Sequence, residues 1–200
     1  MTLPRYPDLP TLESDRLLLR KMSLEDAPDL FEYASDSQVA QYTTWTPHQS
    51  LEDSQIFLNS ILEKYQTHES CDWGIIHKGD SKLIGTCGFV NWVQSDHNAE
   101  IGYALSRSYW GQGYMPEAVK AVVAFGFQET DLNRIEGRCK LPNHPSARVM
   151  EKVGFSFEGI LRQQMLSKGS FHDMKLYAIL REDWKNLSQS TVPFQGEKGV

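Results

Sequence analysis

Cysteine is scarce in this chain. Cys71, Cys87 and Cys139 are the only three among 200 residues, with no CxxC pair and no metal-site spacing. An odd count without a framework excludes a disulfide-stapled fold and suits a reducing compartment. Long apolar runs are missing too. No stretch approaches the ~18 residues needed to span a bilayer, and the opening Met1–Pro7 lacks the apolar core of a secretion signal. The expected location is the cytoplasm, with no membrane partner. Dense clusters of Lys and Arg are also lacking: 20 basic residues stand against 26 acidic ones, for a formal charge of −6. That leaves a nucleic-acid backbone little to grip. His48, His68, His77, His97 and His144 show no ligand spacing, so no metal is expected.

What is present is the profile of an ordinary globular protein, 40% hydrophobic and 23% charged. No repeat, low-complexity tract or linker divides the chain. One domain over residues 1–187 is expected, with a Pro-rich arm at 1–10 and a polar flexible tail at 188–200. Arg16 to Arg20 reads as a short strand. A helix is predicted to follow from Ser23 as N-cap, with Ala27, Leu30, Phe31 and Ala34 on one face. Ser50 and Asp53 have capping-box spacing ahead of the helical stripe Leu51, Leu58, Ile61, Leu62 and Tyr65. Asp72 to His77 and Leu83 to Val93 flank the turn Lys78-Gly79-Asp80-Ser81 and read as a hairpin. A third strand is predicted at Asn98 to Leu105, a helix at Pro116 to Gln128 and a strand at Arg134 to Lys140. A short helix over Ser146 to Val153 should stop at Gly154. Phe155 to Leu166 and His172 to Leu180 close the chain as a hairpin. The order β-α-α-β-β-β-α-β-α-β-β implies an α/β (or α+β) fold, a mixed sheet of about seven strands with helices on both faces.

The chemistry concentrates in Trp110-Gly111-Gln112-Gly113-Tyr114-Met115-Pro116. This turn leaves a strand and enters an amphipathic helix. Its glycines allow φ > 0 and a close approach to bare main chain. The first-turn N–H groups, reinforced by the helix dipole, then converge on one spot that suits a pyrophosphate. A tight turn with no ligand is the plain structural alternative. No Gly-Lys-Ser/Thr follows, which excludes a Walker loop, and a third glycine for a dinucleotide fingerprint is missing.

The run Tyr109-Trp110-Gly111-Gln112-Gly113-Tyr114, followed by Glu117-Ala118, resembles the coenzyme A loop of the GNAT N-acetyltransferases, in the variant of the RimJ/RimL-like ribosomal-protein branch. Of the three signature places, filled here by Trp110, Gly113 and Met115, only the central glycine matches strictly. Asp15 to Arg20, Ala99-Glu100-Ile101-Gly102-Tyr103, Asn143-His144-Pro145-Ser146, Glu151 to Phe155, and Glu158-Gly159 with Asp173 resemble the same branch in order and spacing. The likeness runs from about Leu12 to Trp184.

The resemblance implies acetyl transfer from acetyl-coenzyme A to a primary amine, in a sheet whose two central strands splay to hold the pantetheine. It implies cofactor contacts from Ala104, Leu105, Trp110 to Met115, Asn143 and Ser146. Glu100 is the expected base and Ser146 the expected proton donor to the leaving thiolate. Strand alternation places Glu100, Gly102 and Ala104 on one face, with small neighbours that leave room for a substrate. The structural alternatives are a carboxylate held by arginine or main chain for Glu100, and a helix N-cap for Ser146. Two departures stand out: Met150 occupies the place of a tyrosine acid common in the family, and Met165 that of a second carboxylate. Cys139 reads as a buried structural thiol and Asp173 as turn support. Trp45, Phe89 and Trp92 are the expected acceptor-site lining, with Tyr42.

An α-amine is neutral roughly once in ten at pH 7 and a lysine roughly once in 2,500. A site lacking a strong second base therefore favours a protein N-terminus, ribosomal or other. The alternatives are a small-molecule or antibiotic amine, or a non-catalytic acyl-CoA-binding regulator. The oligomeric state is expected to be monomer or homodimer.

Overall fold

The computed structural model describes residues 9–69 and 71–190. Its elements are β1 (Leu12–Glu13), β2 (Leu17–Arg20), α1 (Ala27–Ala34), α2 (Ser37–Ala40), α3 (Leu51–Gln66), β3 (Cys71–His77), β4 (Lys82–Val93), β5 (Asn98–Leu105), α4 (Tyr114–Gln128), β6 (Arg134–Lys140), α5 (His144–Val153), β7 (Ser156–Ser167), β8 (Ser170–Leu180) and α6 (Arg181–Ser190). The strands form one eight-stranded sheet in the order β1-β2-β3-β4-β5-β6-β8-β7. Every neighbouring pair is antiparallel except β5–β6.

The period-2 pattern of the strands feeds two cores. Leu17, Leu19, Ile75 and Ile84 join Val119, Val122, Val123 and Phe127 of α4 in one apolar cluster, which Ala147, Met150 and Val153 of α5 extend. Ile76 and Leu83, with partly buried Leu18, pack on the opposite side against Leu30 of α1 and Leu58 and Ile61 of α3. Helices therefore cover both faces, as the alternation of elements requires.

Local chemistry sets the helix starts. Ser23 caps a single 3₁₀ turn, not α1 itself; Asp26 accepts from the Ser23 N–H at 2.8 Å and is gripped by the Arg20 guanidinium at 2.7 and 2.8 Å. α1 then begins at Ala27 with Pro28 in its first turn, where a missing N–H costs nothing. At α3 the Asp53 carboxylate accepts from the N–H groups of Ser50 and Gln49 at 3.1 and 2.7 Å, the expected capping pattern.

Three differences from the sequence reading have physical causes. The two-residue β1 adds an eighth strand, too short to carry a periodic signal. α4 starts at Tyr114, two residues before Pro116. α6 (Arg181–Ser190) has no counterpart in the sequence reading and runs three residues into the stretch expected to be a tail, and residues 191–200 lie outside the described residues. Its first residue, Arg181, donates to the carbonyls of Phe127, Thr130 and Leu132 at the end of α4. That is a tertiary anchor invisible to local pattern. At the other end, Leu9 is buried and the Pro10 carbonyl accepts from the Trp73 indole at 2.8 Å, while residues 1–8 of the expected arm lie outside the described residues.

Candidate active site

The parallel pair β5–β6 holds register only from Asn98↔Arg134 to Ile101↔Gly137. β5 then runs on to Leu105 and β6 to Lys140 without pairing to each other, so the two central strands part. Unpaired strand edges inside a sheet must find other hydrogen-bond partners, and an extended, amide-rich chain fits between them.

At the C-terminal end of β5 lies the glycine turn. Gly111 and Gly113 have φ of +75° and +84°, the left-handed region where any Cβ is strained. The first main-chain bond of α4 runs from the Glu117 N–H to the Gly113 carbonyl at 3.3 Å. The donors of Tyr114 and Met115 precede it and have no intrahelical acceptor. The side chains of Tyr114 and Met115 are buried, so these residues present only main chain to the turn. Trp110 turns its indole N–H onto the Leu105 carbonyl at 2.8 Å and leaves its ring exposed. The Gln112 carboxamide is likewise engaged, donating to the Ser108 carbonyl at 3.0 Å.

A clamp that sequence reasoning did not identify fixes this turn. Arg16 on the lead-in to β2 donates to the Gln112 carbonyl at 3.0 Å and to Glu117 at 2.8 Å, and lies 4.2 Å from the centroid of the Tyr114 ring. Ser14 and the Arg16 N–H also donate to Glu117, at 2.7 and 3.0 Å. Burial pushes the Glu117 carboxyl up, but these hydrogen bonds outweigh it and hold the group below the usual carboxylate range. Tyr114 completes the brace through its hydroxyl, 3.0 Å from His77 Nε2.

Glu100 lies on β5, one residue before the pairing ends. Its carboxylate takes both arms of Arg138, Nε at 2.9 Å and Nη2 in a closer ion pair. The arginine alternative raised by the sequence is therefore present. It does not exhaust the carboxylate, which has about four lone-pair sites and gives two to Arg138. Gly102 follows on the same face and packs against Val90, since a Cβ there would meet Val90 Cγ1 at 2.5 Å. Ala104 adjoins the α1/α3 core.

On the other face, α5 meets the gap. Asn143, not Ser146, is its N-cap, accepting from the Ser146 N–H at 3.2 Å. Ser146 sits in the first turn, and its Oγ is 2.9 Å from the hydroxyl of Tyr103, which also donates to the Ser146 carbonyl at 3.1 Å. Tyr103 thus reaches from β5 to α5 across the parted strands, a role no local pattern announces. Burial raises the Tyr103 pKa despite the Ser146 bond. The Cys139 thiol is also within hydrogen-bonding reach of Ser146; burial raises it most, against the nearby Lys175 charge. Met150 is 1% exposed and fills the space over Gly137, where a Cβ would meet its Sδ at 2.5 Å.

The acceptor-lining expectation needs correction. Phe89 is 2% exposed, packs edge-on against Trp92 at 5.3 Å and touches Gly126 of α4. Trp92 is buried in the same core. Both belong to the α4 side, away from the Glu100 face. Phe89 shares the face of its partner Ile101, and the register shift between Phe89 and Asn91 brings Trp92, three residues on, to that same face. Trp45 does lie on the α1/α3 side, half-buried beside His48 at 5.9 Å, with half-buried Tyr42 nearby in sequence. Asp173 supports a strand irregularity as much as a turn: its Oδ1 accepts from Gln163, whose φ is +48°, at 2.8 Å. Among the described residues no group of His, Cys, Asp and Glu is placed to hold a metal ion, and no helix is long and apolar enough to cross a membrane.

Comparison with known proteins places this geometry. Residues 16–156 match the acetyltransferase (GNAT) domain. The chain is 36% identical over 174 residues to an uncharacterized N-acetyltransferase, p20, of Bacillus licheniformis, covering 87% of this chain and 98% of the relative. It is 26% identical over 179 residues to the [ribosomal protein uS5]-alanine N-acetyltransferase of Escherichia coli (strain K12), covering 86% and 92%. The crystal structure of a GNAT-family acetyltransferase from Bacillus anthracis superposes with a TM-score of 0.77 at 32% identity, over 86% of this chain and 99% of that one. With the parted central strands and the glycine turn at their mouth, these matches establish that the chain belongs to the GNAT family and is an acetyl-CoA-dependent N-acetyltransferase.

Proposed function

We propose that the enzyme acetylates the α-amine of a protein N-terminus in the cytoplasm, by direct attack within a ternary complex. The observation that carries this reading is Glu100, held by Arg138 where β5 and β6 part, with small residues following it on the same face. In the reaction the amine nitrogen attacks the thioester carbonyl carbon, the C–S bond breaks, and the amine proton passes to Glu100 directly or through water. The thiolate takes a proton from Ser146, whose Oγ lies 2.9 Å from the Tyr103 hydroxyl; Ser146 regains its proton from solvent, to which Glu100 releases the one taken from the amine. The coenzyme diphosphate rests on the main chain of Gly111 to Met115, and the pantetheine arm between β5 and β6 beside Asn143. The ribosomal relatives favour a protein acceptor, and so does the amine arithmetic: one carboxylate with no second base suits an amine that is already neutral roughly once in ten at pH 7.

The test is released thiol from acetyl-CoA with a panel of N-terminal peptides, small amines and lysine side-chain peptides. Preferential turnover of N-terminal peptides with intersecting double-reciprocal plots is expected. Parallel plots, which indicate an acetylated enzyme, or a preference for lysine side chains would overturn it.

A further inference from the structure

The face of β6 that carries Arg138 holds one charge with no counter-charge. Even-numbered residues of β6 share that face, because Ile135, Gly137 and Cys139 point into the α4/α5 core. Arg134 pairs with Glu136 and Glu158, and Arg138 with Glu100. Lys140 ends the row. It is 4% exposed, and among the described residues its side chain has neither an ion pair nor a hydrogen bond. Lysine is almost never this buried unless paired. Its charged neighbour makes matters worse: Lys168, in the β7–β8 turn, is near enough to disfavour the ammonium, after the larger effect of burial.

The surroundings look built to receive something. Lys168 Nζ donates to the Ala40 carbonyl at 2.5 Å, which draws the β7–β8 turn against α2. Leu141, next to Lys140, donates its N–H to the Asp173 carbonyl at 2.9 Å, fixing the end of β6 against β8. A cation with no counter-charge and a second cation near it lie at the strand end two residues beyond the arginine of Glu100, roughly 6.6 Å along the strand.

We propose that Lys140, assisted by Lys168, binds a carboxylate of the acceptor, so that the substrate is an amine bearing a carboxylate within a few bonds of its amino group. The inference rests on the acetyl-transfer reading above and narrows its substrate class. A carboxylate supplies the missing counter-charge, and the Glu100 face then meets the amine end of the same molecule. A peptide with an acidic second residue and a free amino acid satisfy this chemistry equally.

The experiment measures binding of product analogues to the CoA-loaded full-length protein, in acid and amide pairs. Acetyl-Ala-Asp-amide against acetyl-Ala-Asn-amide probes a side-chain carboxylate; acetyl-alanine against acetylalaninamide probes a free amino acid. At least one acid is expected to bind tenfold or more tightly than its amide. Lys140→Gln should bring that ratio to within twofold of one, Lys168→Gln should lower it partly, and both variants should keep the wild-type dissociation constant for acetyl-CoA. Equal binding of both pairs by the wild type overturns the proposal. So does a ratio unchanged in both variants, or a loss confined to acetyl-CoA affinity, which assigns Lys140 to the cofactor. Acid preference without acetyl transfer to any amine keeps the anion site and removes the proposed acceptor reaction. Transfer without acid preference does the reverse.

Discussion

Substitution of Gly113 separates a coenzyme-gripping turn from an ordinary one, because strain and charge rank three replacements differently. Gly113 has φ +84° and ψ +4°, and the only neighbour of an added Cβ is Arg16 Nη2 at 3.5 Å. Space is therefore not the issue. Backbone strain is, at about 1–2 kcal/mol for alanine and less for asparagine or aspartate, which hydrogen-bond locally in this conformation. For a chain of this size that corresponds to roughly 2–8 °C in Tm for Gly113→Ala and a smaller drop for Gly113→Asn and Gly113→Asp. Acetyl-CoA affinity should follow another order. A carboxylate about 5 Å from a diphosphate charge costs about 3 kcal/mol at an effective dielectric of about 20, which is over a hundredfold in dissociation constant. Gly113→Asp should thus bind worst while unfolding later than Gly113→Ala, and added salt should narrow its deficit. Calorimetric titration with acetyl-CoA and thermal unfolding of the same three proteins measure both orders. Aspartate binding within threefold of wild type would refute the diphosphate assignment, whatever the stability ranking.

Other consequences are equally direct. Glu100→Gln should lower kcat by about 10²–10⁴-fold with acetyl-CoA affinity unchanged; a loss confined to KM would make Glu100 a binding residue only. Tyr103→Phe removes a hydroxyl bonded to Ser146 and should lower kcat by a few-fold to tenfold, as loss of about 1 kcal/mol implies. Its effect should not add to that of Ser146→Ala, and full additivity in steady-state kinetics would break the link. Glu117→Gln should destabilise the fold by about 1–3 kcal/mol near pH 7 through the lost Arg16 clamp. Because the folded carboxyl lies below its ordinary value of 4.5, the contribution is present above that pH and fades as pH falls below it. Urea unfolding of both proteins at pH 7 and pH 4 should show the difference shrinking, and a constant difference would contradict the clamp.

Most elements and the glycine turn before α4 were legible because their causes are local. Strand alternation, the Ser50–Asp53 cap and two glycines before an amphipathic helix act within a few residues, and each is found where those residues place it. The strand boundaries of β5 and β6 agree for the same reason. Pairings over long separations were not legible. Arg16 and Glu117 lie 101 positions apart, and Glu100 and Arg138 lie 38 apart. A long charged side chain reaches many partners, and only the register of β5 against β6 and the packing of α4 on β2 choose among them. The bulge at Phe89–Asn91 is of the same kind: strict alternation would put residues three apart on opposite faces, and the extra residue leaves Trp92 beside Phe89 in the α4 core. Composition and short-range pattern thus determined the class of fold and the glycine turn that opens α4. Tertiary structure alone decided which charges are spent on each other and which, like that of Lys140, have no counter-charge among the described residues.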